Sequence, residues 1–163
     1  MSDDSNDFYV TPMTIEQAQM ICGWQYEEPY HIYDWMPWEQ MLALEIEFGD
    51  SKLRQEQYVS VLHTKEGLAG FAQLFPMTGA MRLGFGMRPD LCGHGWGKEF
   101  IQAIVSVARQ RDPIQPLDLE VLVWNERAIR AYQKAGFEIS DTYMLRTPEG
   151  EQPFYCMVYQ DEL

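Results

Sequence analysis

Residues 83–109 read LGFGMRPDLCGHGWGKEFIQAIVSVAR, an apolar run, a set of alternating glycines and a helical apolar pattern in immediate succession. The run 83–87 suits a strand, and Phe100, Ile101, Ile104, Val105 and Ala108 recur at helical spacing. Between them stand Gly93, Gly95 and Gly97. Glycine lets the backbone take positive φ and lets a ligand come close, so several amides can point at one anion. The first turn of the helix that follows adds unpaired N–H groups and the positive end of its dipole. Strand, glycine turn and helix in this order suit a diphosphate. A dinucleotide fingerprint would need glycine at position 98, where Lys98 stands, and a P-loop would need Ser or Thr next, where Glu99 stands. A loop that holds no ligand is the alternative use of such a turn.

Elsewhere the pattern alternates between sheet and helix. Residues 8–11 suit a first strand, and Thr14 with Gln17 forms a capping-box pair for a helix that carries Ile15, Ala18, Ile21 and Cys22 and ends near Trp24. A second helix is expected over residues 38–48. Residues 57–64 and 68–75 flank the tight turn Lys65-Glu66-Gly67 as a hairpin, and residues 76–80 turn the chain back into the central strand. Leu117, Leu119, Val121 and Val123 alternate along a further strand that ends at Asn125, a good N-cap. Ala128, Ile129 and Tyr132 then mark a short helix that Gly136 stops before Phe137. Residues 137–146 and 153–160 read as the last two strands, with Thr147-Pro148-Glu149-Gly150 as their turn.

Two of these stretches carry a family resemblance. Cys92, Gly93, His94, Gly95, Trp96 and Gly97 fill the six places of the pattern Gln/Arg-x-x-Gly-x-Gly/Ala, and so resemble the acetyl-coenzyme A motif of the GCN5-related N-acetyltransferases. Both required glycines match, while Cys92 stands where Gln or Arg is usual. The series Asn125-x-x-Ala128-x-x-x-Tyr132-x-x-x-Gly136-Phe137 is similar to the second signature of the same family, in the family's order. The resemblance implies an α/β (α+β) fold: a mixed, mainly antiparallel, twisted sheet of six to seven strands, splayed centrally, with helices on both faces. It implies acetyl-CoA as co-substrate and no metal. Coenzyme contacts are then expected from Phe85, Gly86 and Met87 on the splayed strand, from Cys92 through Lys98 in the turn, and from Asn125, Ala128 and Tyr132.

Acetyl transfer from a thioester to an amine needs an acceptor for the amine's proton, polarisation of the carbonyl oxygen, and a proton for the departing thiolate. Tyr132 sits where the family's leaving-group acid sits, and a phenol of pKa about 10 can protonate a thiolate of about 8.5. Glu120, twelve residues before Tyr132, is the best carboxylate for the base, acting directly or through water. A glutamate on a wet sheet face is the bland alternative, and His94 is a second candidate base. A backbone N–H among Phe85, Gly86 and Met87 would meet the oxyanion.

Composition narrows the partners. The chain of 163 residues, 46% hydrophobic and 23% charged, is read as one domain over residues 1–163. The acidic start MSDDSNDFYV is unlike a signal peptide, no apolar run is long enough for a membrane span, and a cytoplasmic protein is expected. Cys22, Cys92 and Cys156 lack the spacing of a disulfide framework or zinc site. The net charge of -13 disfavours nucleic acid; it suits a cationic substrate and equally a solvated acidic surface. Residues 24–38, WQYEEPYHIYDWMPW, crowd aromatic rings with carboxylates. They read either as a loop whose rings cap the core or as a wall where Glu28, Tyr30 and Asp34 receive an amine.

The expected activity is transfer of an acetyl group to a primary amine of a small molecule, in a ternary complex. The alternatives are acetylation of a peptide or protein amino terminus, and a sensor that binds acyl-CoA without chemistry. Acceptor identity, acyl length and the choice between monomer and homodimer stay open, as does whether residues 154–159 pair within the chain or with a second copy.

Overall fold

The computed structural model describes residues 6–161. Seven strands and five α-helices follow one another among the described residues: β1 (Phe8–Pro12), α1 (Ile15–Cys22), α2 (Trp38–Leu44), α3 (Ser51–Gln57), β2 (Tyr58–His63), β3 (Gly67–Met77), β4 (Ala80–Met87), α4 (Gly97–Arg111), β5 (Leu117–Leu122), α5 (Glu126–Ala135), β6 (Phe137–Thr147) and β7 (Gly150–Tyr159). The sheet order is β1-β2-β3-β4-β5-β7-β6. The β4–β5 pairing is parallel, whereas β1–β2, β2–β3, β5–β7 and β6–β7 are antiparallel. This is the mixed, mainly antiparallel α/β class expected. Among the described residues no helix is long and apolar enough to cross a membrane. Two compact units divide the chain, one holding the residues up to Gln73 together with Phe85–Cys92, the other Leu74–Gly84 together with the residues from Gly93 onward.

In the first unit the capping box forms as its residues require. The Thr14 hydroxyl accepts the Gln17 N–H at 3.1 Å and the Gln17 carboxamide accepts the Thr14 N–H at 3.0 Å. The helix stops at Cys22, with Gly23 as its cap, slightly before Trp24. Ile21, Met41, Phe48 and Tyr58 are fully buried and build the core with Trp38 and Phe71. The rings of Trp35 and Phe48 meet edge-on with centroids 4.8 Å apart.

The expected helix over residues 38–48 is corrected by this packing. The α2 helix ends at Leu44, Glu45 turns left-handed with φ 53°, and a 3-10 turn, Glu47–Gly49, brings the chain back. Gly49 lies so close to the helix that a Cβ there would sit 2.4 Å from the Met41 carbonyl oxygen. The reversal drives Phe48 into the core, and Asp50 then caps α3 by accepting the N–H groups of Lys52 and Leu53 at 2.8 and 3.2 Å. The α3 helix lies in a stretch that the sequence pattern leaves unassigned up to Glu56, and it takes in Gln57, where the strand over 57–64 is expected to begin; that strand starts instead at Tyr58.

In the second unit, α4 buries Phe100, Ile101, Ile104, Val105 and Ala108, the residues that recur at helical spacing. An added Cβ on Gly97, at its start, would lie 3.0 Å from the Ala131 methyl of α5, so a small residue is needed there. The last strand pairs within the chain: β7 lies between β5 and β6, from Asp118↔Val158 to Leu122↔Phe154 on one side and from Phe137↔Tyr159 to Thr147↔Gly150 on the other. The parallel β4–β5 ladder holds the pairs Met81↔Leu117 and Arg82↔Asp118.

Candidate functional site

The glycine turn adopts the conformation its residues allow. Gly93 and Gly95 take φ of 80° and 83°, a region that costs other residues about 1–2 kcal/mol. Gly93, His94, Gly95 and Lys98 are exposed, and Trp96 and Gly97 half-buried. Trp96 is the N-cap residue of α4 and supplies no side-chain hydrogen bond to the helix's first amides. An added Cβ would meet nothing within 4 Å at Gly95, and at Gly93 only the Arg127 Nη1 at 4.0 Å. The turn is thus open to an approaching group and has a guanidinium beside it. Arg127 stands inside the second motif and was not singled out from the sequence. The rings of His94 and Trp96 lie 6.4 Å apart.

The strand end and Cys92, in the first unit, are tied down by side chains the motifs do not reveal. The Tyr26 hydroxyl donates to the Met87 carbonyl at 2.6 Å. Gly86 is confined, because a Cβ there would lie 2.7 Å from the Phe71 ring and 3.5 Å from the Tyr26 oxygen. Phe85 and Met87 flank it, each half-buried. The Cys92 thiol donates to the Met87 and Arg88 carbonyls at 3.7 and 3.6 Å. The Arg88 guanidinium donates to the Glu66 and Leu68 carbonyls at 2.9 and 2.8 Å and pairs with Asp90 at 2.6 Å. Its hydrogen bond to Asp90, the largest cause, raises its pKa further.

Asn125 is buried and acts as the cap read from the sequence, its Oδ1 accepting the Ala128 N–H at 3.3 Å. Ala128 and Tyr132 are half-buried on α5. Gly136 closes that helix at φ 114°, where a Cβ would sit 3.0 Å from the Tyr159 ring.

Glu120 belongs to a polar cluster built from four strands. Its Oε2 accepts the Tyr143 hydroxyl at 2.6 Å and pairs with Arg82 Nη1 at 3.0 Å. The same guanidinium donates to both oxygens of Asp118, Nε to Oδ1 at 2.9 Å and Nη2 to Oδ2 at 3.0 Å. The Cys156 thiol donates to Asp118 Oδ2 at 3.7 Å. Hydrogen bonding to Asp118 raises the pKa of Arg82 against the opposing effect of burial. Burial, then the bond to Glu120, raises that of the Tyr143 phenol. Glu120 is therefore a held carboxylate rather than one standing in water. The sequence motifs do not single out Arg82, Asp118 or Tyr143. The available signal was the spacing of Asp118 and Glu120, two carboxylates on one strand face, which calls for a cation opposite.

The aromatic segment 24–38 of the first unit lines a cleft of about 630 Å³ with Trp24, Asp34, Trp35 and Trp38, joined by Glu39 and Cys22. Asp34 also accepts the Tyr26 N–H at 2.9 Å. Of the three residues expected to receive an amine, Asp34 is on this wall. Glu28 is exposed beside the cis Glu28–Pro29 peptide, and Tyr30, half-buried, opens a 3-10 turn, Tyr30–Tyr33. Burial, followed by the charge of Glu39, pushes the Cys22 thiol up to about 11.

Residues 13–137 match the acetyltransferase (GNAT) family, and the chain belongs to that family. It is accordingly an acyltransferase of the N-acetyltransferase kind. No curated protein matches it. Among solved structures it is similar to a spermidine N-acetyltransferase SpeG chimera from Vibrio cholerae and hSSAT, with TM-score 0.76 and 16% identity over 94% of this chain and 95% of that one. The spermidine N-acetyltransferase from Vibrio cholerae in complex with CoA and spermine gives 0.72 and 15% over 94% and 95%. AAC(6')-Ib in complex with ribostamycin and coenzyme A gives 0.66 and 23% over 94% and 93%. At these identities the likeness is one of fold.

Proposed function

We propose that the protein is an acetyl-CoA-dependent N-acetyltransferase that acetylates a primary amine of a small molecule by direct attack in a ternary complex, as one domain and in the cytoplasm. The observation that carries the reading is the open glycine turn. Gly93 and Gly95 hold positive φ, a Cβ would meet little there, and Arg127 stands beside it, which fits a diphosphate. The amides of Gly93, His94, Gly95, Trp96 and Gly97, with Lys98 and Arg127 as cations, hold the diphosphate. Phe85, Gly86 and Met87 offer backbone to the pantetheine arm and to the carbonyl oxygen, and Cys92, Asn125 and Ala128 support the same ligand.

In the reaction the amine nitrogen bonds to the thioester carbon and the carbon–sulfur bond breaks. The amine's proton passes to Glu120, directly or through one water, and the Tyr132 phenol protonates the departing thiolate. The acceptor's cationic part is received by the rings and carboxylates of the segment 24–38, with Asp34 on the wall and Glu28 and Tyr30 on the same loop. The spermine and ribostamycin named in the similar structures are amines, which supports an amine acceptor here.

The test is release of free thiol from acetyl-CoA with a panel of polyamines, aminoglycosides, amino acids and short peptides. Amine-stimulated release that Tyr132→Phe lowers at least tenfold supports the reading. Stimulation by peptides alone moves the substrate to a protein amino terminus. Tight coenzyme binding with no turnover on any acceptor favours a sensor.

A further inference from the structure

Both contacts to the Glu120 carboxylate fall on one of its oxygens. Tyr143 donates to Oε2 at 2.6 Å and Arg82 pairs with the same atom at 3.0 Å, while Oε1 has no hydrogen-bond partner among the described residues. The terminal torsion of a glutamate is soft, so an unsupported carboxylate samples a broad range of orientations. The hydrogen bond from Tyr143 and the ion pair with Arg82, both on one oxygen, restrict that freedom. Neither partner is itself loose. Arg82 is locked by its two bonds to Asp118, whose carboxylate is buried and also takes the Cys156 thiol at 3.7 Å. Tyr143 is set by the β6–β7 ladder, where it stands opposite Phe154.

We propose that Tyr143 and Arg82 form a clamp that holds Glu120 by Oε2 and thereby presents Oε1 as the proton acceptor of the transfer reaction. The inference rests on the reading of Glu120 as the base. In the step concerned, the N–H proton of the attacking amine moves to Oε1, directly or over one water, as the nitrogen–carbon bond forms. The electron pair of the breaking carbon–sulfur bond leaves with the thiolate, which Tyr132 protonates. Tyr143 and Arg82 exchange no proton with the reactants, so both are positioning residues. This is the orienting role that a third group plays for the base in nucleophile–base pairs.

The charged and titratable groups around Glu120 in the clamp are Arg82 on β4, Asp118 on β5, Tyr143 on β6 and Cys156 on β7. Tyr143 is the one to alter, because Tyr143→Phe deletes a single oxygen and keeps the ring.

The experiment is a double-mutant cycle of Tyr143→Phe and Glu120→Gln, read as kcat and as KM for acetyl-CoA with the best acceptor, with melting temperatures as a check on folding. Losing a general base costs about 100-fold or more in kcat, and that is expected of Glu120→Gln. Tyr143→Phe is expected to lower kcat roughly tenfold with KM for acetyl-CoA unchanged, and to cost nothing further in the Glu120→Gln background. Losses that multiply in the double variant, or wild-type kcat in Tyr143→Phe beside a crippled Glu120→Gln, would overturn the clamp and leave the base assignment standing. Wild-type kcat in Glu120→Gln would overturn both.

Discussion

Replacing Arg82 by methionine keeps most of the aliphatic stem and removes the cation that two carboxylates share. The guanidinium makes a paired contact with Asp118 at 2.9 and 3.0 Å and a third with Glu120 at 3.0 Å. Its side chain is 25% exposed, and those of Asp118 and Glu120 are 12% and 23% exposed, so solvent screens the cluster only in part. Removing one partner of a buried pair costs about 3–5 kcal/mol because a charge is left behind. Partial exposure of all three groups places Arg82→Met at the low end, about 3 kcal/mol. A domain of this size shifts by about 2–4 °C per kcal/mol, so the melting temperature should fall by roughly 6–12 °C. The assay is thermal unfolding by circular dichroism at neutral pH, with Arg130→Met as the comparison. The Arg130–Glu126 pair is 3.7 Å long with side chains 64% and 80% exposed, and exposed pairs of that kind contribute well under about 1 kcal/mol. A loss below about 2 °C for Arg82→Met, equal to that of Arg130→Met, would refute the reasoning that the cluster is held by its shared cation.

Three further outcomes follow from local geometry. Gly49→Ala puts a Cβ 2.4 Å from the Met41 carbonyl oxygen and 2.6 Å from its carbonyl carbon. Backbone atoms cannot step aside, so a loss of about 3 kcal/mol is expected in denaturant melts. The Tyr58 phenol is raised above its ordinary 10.0 by burial first and then by its hydrogen bond to Glu47, and the Cys22 thiol goes from 9.0 to about 11. Groups raised in this way stabilise the fold fully below their unfolded values. The unfolded chain sheds those protons first as pH climbs, so melting temperature should fall from about pH 9 upward, and Tyr58→Phe should flatten the part above about pH 10. Gly95→Ala places a side chain at φ 83° with no steric clash, so its whole cost is the backbone's. An exposed turn relaxes when empty and must be restored on binding, so coenzyme affinity should drop roughly five- to thirtyfold in a titration, for about 1–2 kcal/mol.

The sequence was most legible where one residue and its near neighbours decide the structure. Thr14 with Gln17, Asn125 at the start of α5, Gly136 at its end, and the turn of Gly93 and Gly95 all adopt the local forms their chemistry favours. The α3 helix was not readable because its stretch, SKLRQEQ, has a single apolar side chain. Its buried member is Arg54, which donates to the Phe48 carbonyl at 2.8 Å and lies over the Trp38 ring. That fit comes from the reversal at Gly49, a tertiary event. The same limit hid the partners of Glu120, which lie 38 residues before it, at Arg82, and 23 after it, at Tyr143. Tyr26 was visible as one ring in an aromatic run, but its bond to Met87, 61 residues away, was not.

Calorimetric titration of the protein with acetyl-CoA tests the central claim most directly, since every proposed step begins with the coenzyme in the glycine turn. The account predicts saturable binding of one coenzyme per chain, weakened by Gly95→Ala and left intact by Glu120→Gln. Absence of binding to the wild-type chain would contradict it.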